Sequence, residues 1–161
     1  MALADVKAYF RAYGMEEQVI EFEVSSATVE LAAAALKCAP ERIAKTLSFY
    51  GEKSALLIVA AGDAKVDNQK FKEHFKIKAK MLKMEDVESL IGHGIGGVCP
   101  FAVNENVPVY LDVSLKRFDV VYPAAGSANS AIALDLKALE VYSKAVGWVD
   151  VCKNWHDSPY M

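Results

Sequence analysis

Three short stretches of this chain hold residue types that could grip a carbonyl or an anion, and they lie far apart in sequence. Lys45-Thr46 opens an apolar, β-compatible run directly after a helical turn begun at Pro40. A lysine at the end of a sheet can bury its stem and present a cationic head to an anionic group; a solvated strand-end lysine is the plainer alternative. Gly96-Gly97-Val98-Cys99-Pro100 allows close backbone approach at its glycines and fixes its exit at the proline. The N–H groups of such a loop can hold a carbonyl or a developing oxyanion, although glycine richness also suits a purely structural loop. Ala124-Ala125-Gly126-Ser127-Ala128-Asn129 places small residues at a strand-to-strand turn, fit to floor a pocket or simply to turn tightly. Hydroxyls at Ser25, Ser26, Thr28 and Thr46 could bond a substrate. Helix capping and strand packing are the expected fates of at least two of them.

Other chemistry-bearing residues form no pattern. Cys38, Cys99 and Cys152 are an odd, widely spaced set without a C-x-x-C pair, which fits reduced thiols rather than a disulfide framework. His74, His93 and His156 show no metal-ligand spacing, so no metal site is expected. Cys99 invites a nucleophile reading because of its loop. No histidine has a position that the sequence pairs with it, His93 lying in the same irregular stretch, so a packed thiol is the favoured reading.

The elements that must position these residues follow from periodicity. Val6, Tyr9, Phe10 and Tyr13 form a helical stripe over about residues 3–13, ended by Gly14. Ile20, Phe22 and Val24 alternate with glutamates, the pattern of a strand with one wet face. The alanine-rich run ELAAAALK predicts a helix that stops before Pro40. Lys45–Tyr50 and Ser54–Ala61 predict a hairpin around Gly51-Glu52-Lys53. Asp67 caps a helix carrying Phe71 and Phe75, followed by a short strand near Lys78–Leu82 and a helix near Glu85–Ile91. Val107–Leu111, Asp119–Tyr122 and Ser130–Leu134 are further strands, and Asp135 caps a last helix ending near Gly147. No element is assigned to the tail from Val149. Helices and strands are interspersed without a regular β-α-β alternation, so the expected fold is α+β, a single compact domain over 1–161 with a mixed, mostly antiparallel sheet flanked by helices.

Length and composition agree with that. The 161 residues are 53% hydrophobic and 24% charged, ordinary for one globular core. The longest aliphatic runs fall far short of the roughly 18 residues of a membrane span, and the amino terminus lacks a secretory pattern, which makes a cytoplasmic protein the expectation. The net charge of −3 taken alone disfavours a polyanionic partner, but it conceals a segregation. Between Lys65 and Lys83 seven lysines face only Asp67 and Glu73. Lys70, Lys72 and Lys76, which flank the buried stripe of a helix, are candidate contacts for a nucleic-acid phosphate backbone; a solvated, solubilising face is the alternative.

Taken together, Ile43-Ala44-Lys45-Thr46-Leu47, the Gly97-x-x-Pro100 loop and the Ala125-Gly126 turn before a strand resemble, in order and spacing, the YbaK-like family of prolyl-tRNA synthetase-associated editing domains. The resemblance covers roughly residues 15–146 and includes the alanine-rich helix and the closing helix. It implies the compact editing fold and hydrolysis of the ester in mischarged aminoacyl-tRNA, in trans, on tRNA for proline carrying cysteine, alanine or another small residue, with no metal or cofactor. A partner synthetase would then supply selectivity for the body of the tRNA. On this carry-over Lys45 is the functional lysine, Gly97 and Pro100 belong to the substrate loop with Val98 and Cys99, and Gly126 belongs to the glycine turn with Ser127. Thr46, Ser25 and Thr28 are substrate contacts of second rank. Lys45 would anchor a phosphate or the terminal ribose, since a general base would need a strongly depressed pKa. Many relatives carry basic residues and another glycine after the glycine turn, where this chain has Ser127-Ala128-Asn129-Ser130. The competing reading is a non-catalytic module that keeps the pocket and binds a nucleotide, an uncharged tRNA end or a protein.

Overall fold

The computed structural model describes residues 2–94 and 96–155; His156 and the rest of the tail lie outside them. The core is organised by strand β3 (Ala55–Ala61), all seven residues of which are buried. Such an unbroken apolar run marks a strand covered on both faces. It pairs antiparallel along its whole length with β2 (Ile43–Tyr50), as the hairpin pattern predicts. On the far side of β3 lie β5 (Val109–Asp112) and then β9 (Gly147–Val149), both in parallel register. On the far side of β2, β6 (Val120–Pro123) pairs in parallel at Ile43 and Ala44 only, and β8 (Leu134–Asp135) closes that edge antiparallel. The six-stranded order is β8-β6-β2-β3-β5-β9, with two small antiparallel ladders beside it. One joins β1 (Val19–Glu21) to β7 (Ser130–Ile132), the other β4 (Lys65–Val66) to β10 (Cys152–Lys153). The domain is α+β, and its longest ladder is the antiparallel hairpin.

Helices cover the sheet with the faces their spacing dictates. Helix α1 (Ala2–Arg11) buries Val6 and Phe10 completely, and Phe10 meets Phe101 edge to face at 4.9 Å. Helix α2 (Val29–Leu36) is capped by Thr28, whose hydroxyl accepts the Leu31 N–H at 3.1 Å, and lays Ala32 and Ala33 against Ile43. Helix α3 (Asn68–Phe75) is capped by Asp67 and buries Phe71 against Phe49 and Phe75. Helix α4 (Met84–Ile91) buries Val87 and Ile91, and α5 (Leu136–Tyr142), capped by Asp135, buries Leu139.

Several expectations need correction. The strand expected near Lys78–Leu82 is a single bridge, Phe49 to Met81, because only the Tyr50 and Leu82 N–H groups find carbonyls across it. The alternation at Ile20, Phe22 and Val24 has the wrong phase. Val19 is the buried member of β1, while Ile20 is 37% and Val24 62% exposed, since the ladder with β7 ends at Glu21. The run Ser130–Leu134 divides into β7 and β8, which pair with different partners. The unassigned tail supplies β10, and Gly147–Val149 supplies the edge strand β9.

Gly62, in the turn after β3, is a packing requirement. A β-carbon there would stand 2.1 Å from the Pro40 carbonyl oxygen and 2.8 Å from Val29 Cγ1. Gly62→Ala is expected to cost about 3 kcal/mol through forced displacement of the segment before β2, read as a lowered urea midpoint with an unchanged m-value.

Candidate active site

The site is a gap in the sheet. Ser48 O accepts the Leu82 N–H at 3.1 Å, and the Tyr50 N–H donates to Lys80 O at 2.9 Å. Even-numbered residues of β2 therefore turn their backbone groups away from β3. On that outer edge β6 reaches only as far as Ala44, and the 80–82 segment begins only at Ser48. Between them Thr46 has no strand neighbour among the described residues. β6 leaves because it ends on Pro123, after which Ala124 bridges Ala131 instead. Over this gap opens a cleft of about 390 Å³, walled by Val29, Ala32, Tyr122 and Ala124 on one flank and Met81, Leu82, Met84 and Val87 on the other, with Ala44–Ser48 as its floor.

Lys45 lies on the floor, half-buried. Its Nζ donates to Gly62 O at 3.3 Å and to Ala64 O. Burial pushes its pKa below the ordinary lysine value, opposed by the nearby Asp63 and Glu30 carboxylates. The carbonyl turn that holds it is itself clamped. Arg117 donates to both carboxylate oxygens of Asp63, one at 2.9 Å, and its Nε donates to Ser114 O at 2.9 Å. Thr46 Oγ1 is buried against the cleft without a hydrogen-bond partner among the described residues.

The glycine-rich loop meets the cleft through Gly96 and Val98. Gly96 sits at φ +87°, where an L side chain is strained. Gly97 faces inward instead: a β-carbon on it would lie 2.7 Å from the Gly126 carbonyl oxygen and 2.9 Å from Ser127 Cα. Gly126, at φ +100°, thus backs the loop and does not line the cleft. Pro100 lines a separate depression with Tyr9 and Tyr142. Cys99 is fully buried, its thiol pushed up to about 12 by burial. The structure does bring His93 beside it, with Nε2 3.5 Å from Sγ. That nitrogen also lies 2.6 Å from Phe101 O, a pure acceptor, so it carries the proton and cannot take one from the thiol. Neither residue reaches the cleft.

Of the hydroxyls, Ser26, Thr28 and Thr46 line the cleft. Ser25 and Ser26 both bond the Ala128 carbonyl, and Thr28 is committed as a cap. Ser127 donates to Ser130 Oγ at 2.7 Å, and it is the buried Ser130 that borders the cleft. Lys70 is engaged by Asp150 at 3.2 Å and by Cys152 O at 3.0 Å, while Lys72 on α3 and Lys76 at its C-cap are exposed. None of these three lines the cleft. Lys80 and Lys83, at its lip beside Met81 and Met84, were not singled out by sequence; neither were Ser48 and Tyr122. The alternation Lys80-Met81-Leu82-Lys83-Met84, with exposed methionines beside lysines, was the available signal.

The site is a narrow, mostly apolar cleft laid over the open edge of a central strand. Residues 23–141 match the aminoacyl-tRNA editing domain family, and the chain belongs to it. It is 53% identical over 156 residues to "Uncharacterized protein YwhH" of Bacillus subtilis (strain 168), covering 96% of this chain and 99% of that protein. It is 29% identical over 100 residues to "Putative Cys-tRNA(Pro)/Cys-tRNA(Cys) deacylase EbsC" of Enterococcus faecalis (strain ATCC 700802 / V583), covering 61% of each. The solved structure of "a putative trans-editing enzyme for prolyl tRNA synthetase" superposes with a TM-score of 0.84 at 28% identity, covering 94% of this chain and 97% of that one.

His93 makes stability depend on pH. It is fully buried and its Nδ1 has no partner among the described residues. Burial lowers its pKa from the ordinary 6.5, with the Phe101 carbonyl and Asp5 opposing. The folded state thus prefers neutral imidazole. This contribution is complete above pH 6.5 and is lost as pH falls through the lowered folded value, because the unfolded chain takes up the proton first. Denaturant titrations between pH 7.5 and 5 should show stability falling, and His93→Gln should reduce that slope.

Proposed function

We propose that the chain is an aminoacyl-tRNA deacylase acting in trans on tRNA charged with a small, uncharged amino acid such as cysteine or alanine, with tRNA for proline as the acceptor. The observation that carries this is the cleft lining, in which, among the described residues, Lys45 is the only charged one and the remaining walls are apolar or hydroxyl-bearing. A cationic amino-acid side chain would lose its hydration there without gaining a carboxylate partner, and would meet the like charge of Lys45. The chemistry asks little of the protein. Water adds to the ester carbonyl carbon, the carbon–oxygen bond to the ribose breaks, and the ribose oxygen takes up a proton, leaving free amino acid and tRNA. The ester is already activated, so fixing its carbonyl and orienting water, or a thiol or hydroxyl of the substrate, lowers the barrier. Cys99 takes no part, being buried, protonated and outside the cleft.

The lip of the cleft suits the end of a nucleic acid. Met81 is 54% and Met84 70% exposed, polarizable surfaces on which an unstacked base can rest. Lys80 and Lys83 stand beside them to meet phosphates, Lys80 held 5.5 Å over the Tyr50 ring. Lys72 on α3 and Lys76 at its C-cap offer a more remote contact.

Deacylation of tRNAs charged with alanine, cysteine, serine and larger residues tests the reading. Turnover well above the buffer rate is expected for the small residues, and Lys45→Ala should lower kcat/KM at least about thirtyfold. Turnover of none of them would reduce the protein to a binding module. Separately, Lys80→Ala with Lys83→Ala should flatten the slope of log affinity against log salt by about 1.4, the release expected from two single-strand phosphate contacts. The pair Lys72→Ala with Lys76→Ala should change it less.

A further inference from the structure

We infer that the open backbone of Thr46 receives the esterified amino acid as a one-residue strand, its C=O accepting from the substrate's α-amino group and its N–H donating to the ester carbonyl. The inference rests on the deacylase reading and adds how the substrate is held. The starting observation is the ladder itself. Facing outward along β2, Ala44 is the last residue that β6 pairs, and Ser48 is the first that accepts from the 80–82 segment. The register on the other side, Lys45 to Ala60 and Thr46 to Val59, is unbroken, so the strand is held straight while its outer edge lies bare. Among the described residues the N–H and C=O of Thr46 thus face the cleft with no strand partner, and the Oγ1 of the same residue is buried without one.

Buried backbone groups are almost always paired. In an antiparallel ladder, a residue opposite a hydrogen-bonded position exchanges both bonds with it, N–H to C=O and C=O to N–H. An amino acid esterified through its carboxyl group carries that complement: one donor, the amine, and one acceptor, the ester carbonyl. Short extended ligands commonly add to exposed sheet edges in this manner. The pairing also accounts for a cleft without a carboxylate, since the α-ammonium has a backbone oxygen to bond. It further assigns the oxyanion donor. As water adds, negative charge grows on the oxygen that faces the Thr46 N–H, a donor fixed by a seven-residue ladder on its other side.

The geometry offers a selective test. Proline is tolerated at an edge position whose N–H does not serve the ladder. Thr46→Pro therefore removes the outward N–H and the hydroxyl while sparing the bonds to β3, and the preceding Lys45 is already extended. Thr46→Val removes the hydroxyl alone. With alanyl-tRNA, Thr46→Pro is expected to lower kcat about a hundredfold below Thr46→Val, the scale of losing one oxyanion donor, while KM changes little. A second arm needs no variant. Alanyl-tRNA and propionyl-tRNA differ only in the amine, and each enzymatic rate is divided by that ester's own rate in buffer. The wild-type acceleration should be at least tenfold smaller for propionyl-tRNA. The inference is overturned if a folded Thr46→Pro stays within threefold of Thr46→Val, or if both esters are accelerated equally. If Thr46→Pro does not fold, the ester comparison decides. A wild-type protein that hydrolyses no aminoacyl-tRNA defeats the deacylase reading itself, and the inference falls with it. Hydrolysis of alanyl-tRNA without either difference defeats the inference alone.

Discussion

A strand in the middle of a sheet normally has both edges paired, because an unpaired N–H or C=O away from bulk water costs about as much as a lost hydrogen bond. In β2 that rule is obeyed along one edge and suspended along the other for the span around Thr46. The rest of the architecture can be derived from keeping that gap open without letting the strand collapse or recruit a foreign strand. The seven-residue ladder with β3 supplies rigidity. Pro123 ends β6 and sends Ala124 across to Ala131, so the neighbour peels away. Leu82 and Lys80 resume the pairing from the other end. Helix α2, the 96–98 loop and the start of α4 wall the gap, which shields an edge that would otherwise invite aggregation.

The two glycine-bearing stretches, nearly thirty residues apart in sequence, serve one another. Gly97 lets the loop settle on the backbone of Gly126 and Ser127, closer than any side chain permits. Ser127 and Asn129 then tie that turn to Ser130 and, through the Asn129 side chain, to the Phe22 carbonyl. The consequence is that Gly96 and Val98 are held over the cleft by residues that do not touch it. A departure from the family pattern after Gly126 therefore acts on the cleft by way of Ser130, not by placing new charge inside it.

What the sequence disclosed was whatever local periodicity or capping decides. The hairpin of β2 and β3, the Thr28, Asp67 and Asp135 caps, and the placement of Lys45 on a strand were all legible, because each depends on residues within a few positions of one another. The ordered motifs also disclosed the family. The gap at Thr46 was not legible, since it arises from where two distant segments stop pairing. The phase of β1 failed for the same reason: which of Val19 and Ile20 turns inward is set by β7, more than a hundred residues later. Cys99 and His93 are neighbours that spacing could not pair, as both lie in irregular backbone, and only the folded chain shows that the imidazole nitrogen facing sulfur is already bonded to Phe101 O.

Lys45 is the residue in which these threads meet, and its surroundings decide between two roles. A general base must spend part of its time as a free amine with its lone pair directed at the substrate. Here the nitrogen lies against two carbonyl oxygens, Gly62 O and Ala64 O, which can only accept hydrogen bonds and so favour the ammonium. Burial works in the opposite direction and lowers the pKa, with Asp63 and its neighbours restoring part of the charge preference. An ammonium has three N–H groups. Two are spent on the turn, which leaves one uncommitted among the described residues, and the Asp63–Arg117 pair braces that turn. A single fixed positive donor on the floor beside the open edge suits a ribose hydroxyl or a phosphate oxygen of the tRNA terminus. On the proposed pairing the ester carbonyl falls to the backbone of the adjacent residue, and the ammonium of Lys45 and the N–H of Thr46 would divide the two ends of the scissile bond between them.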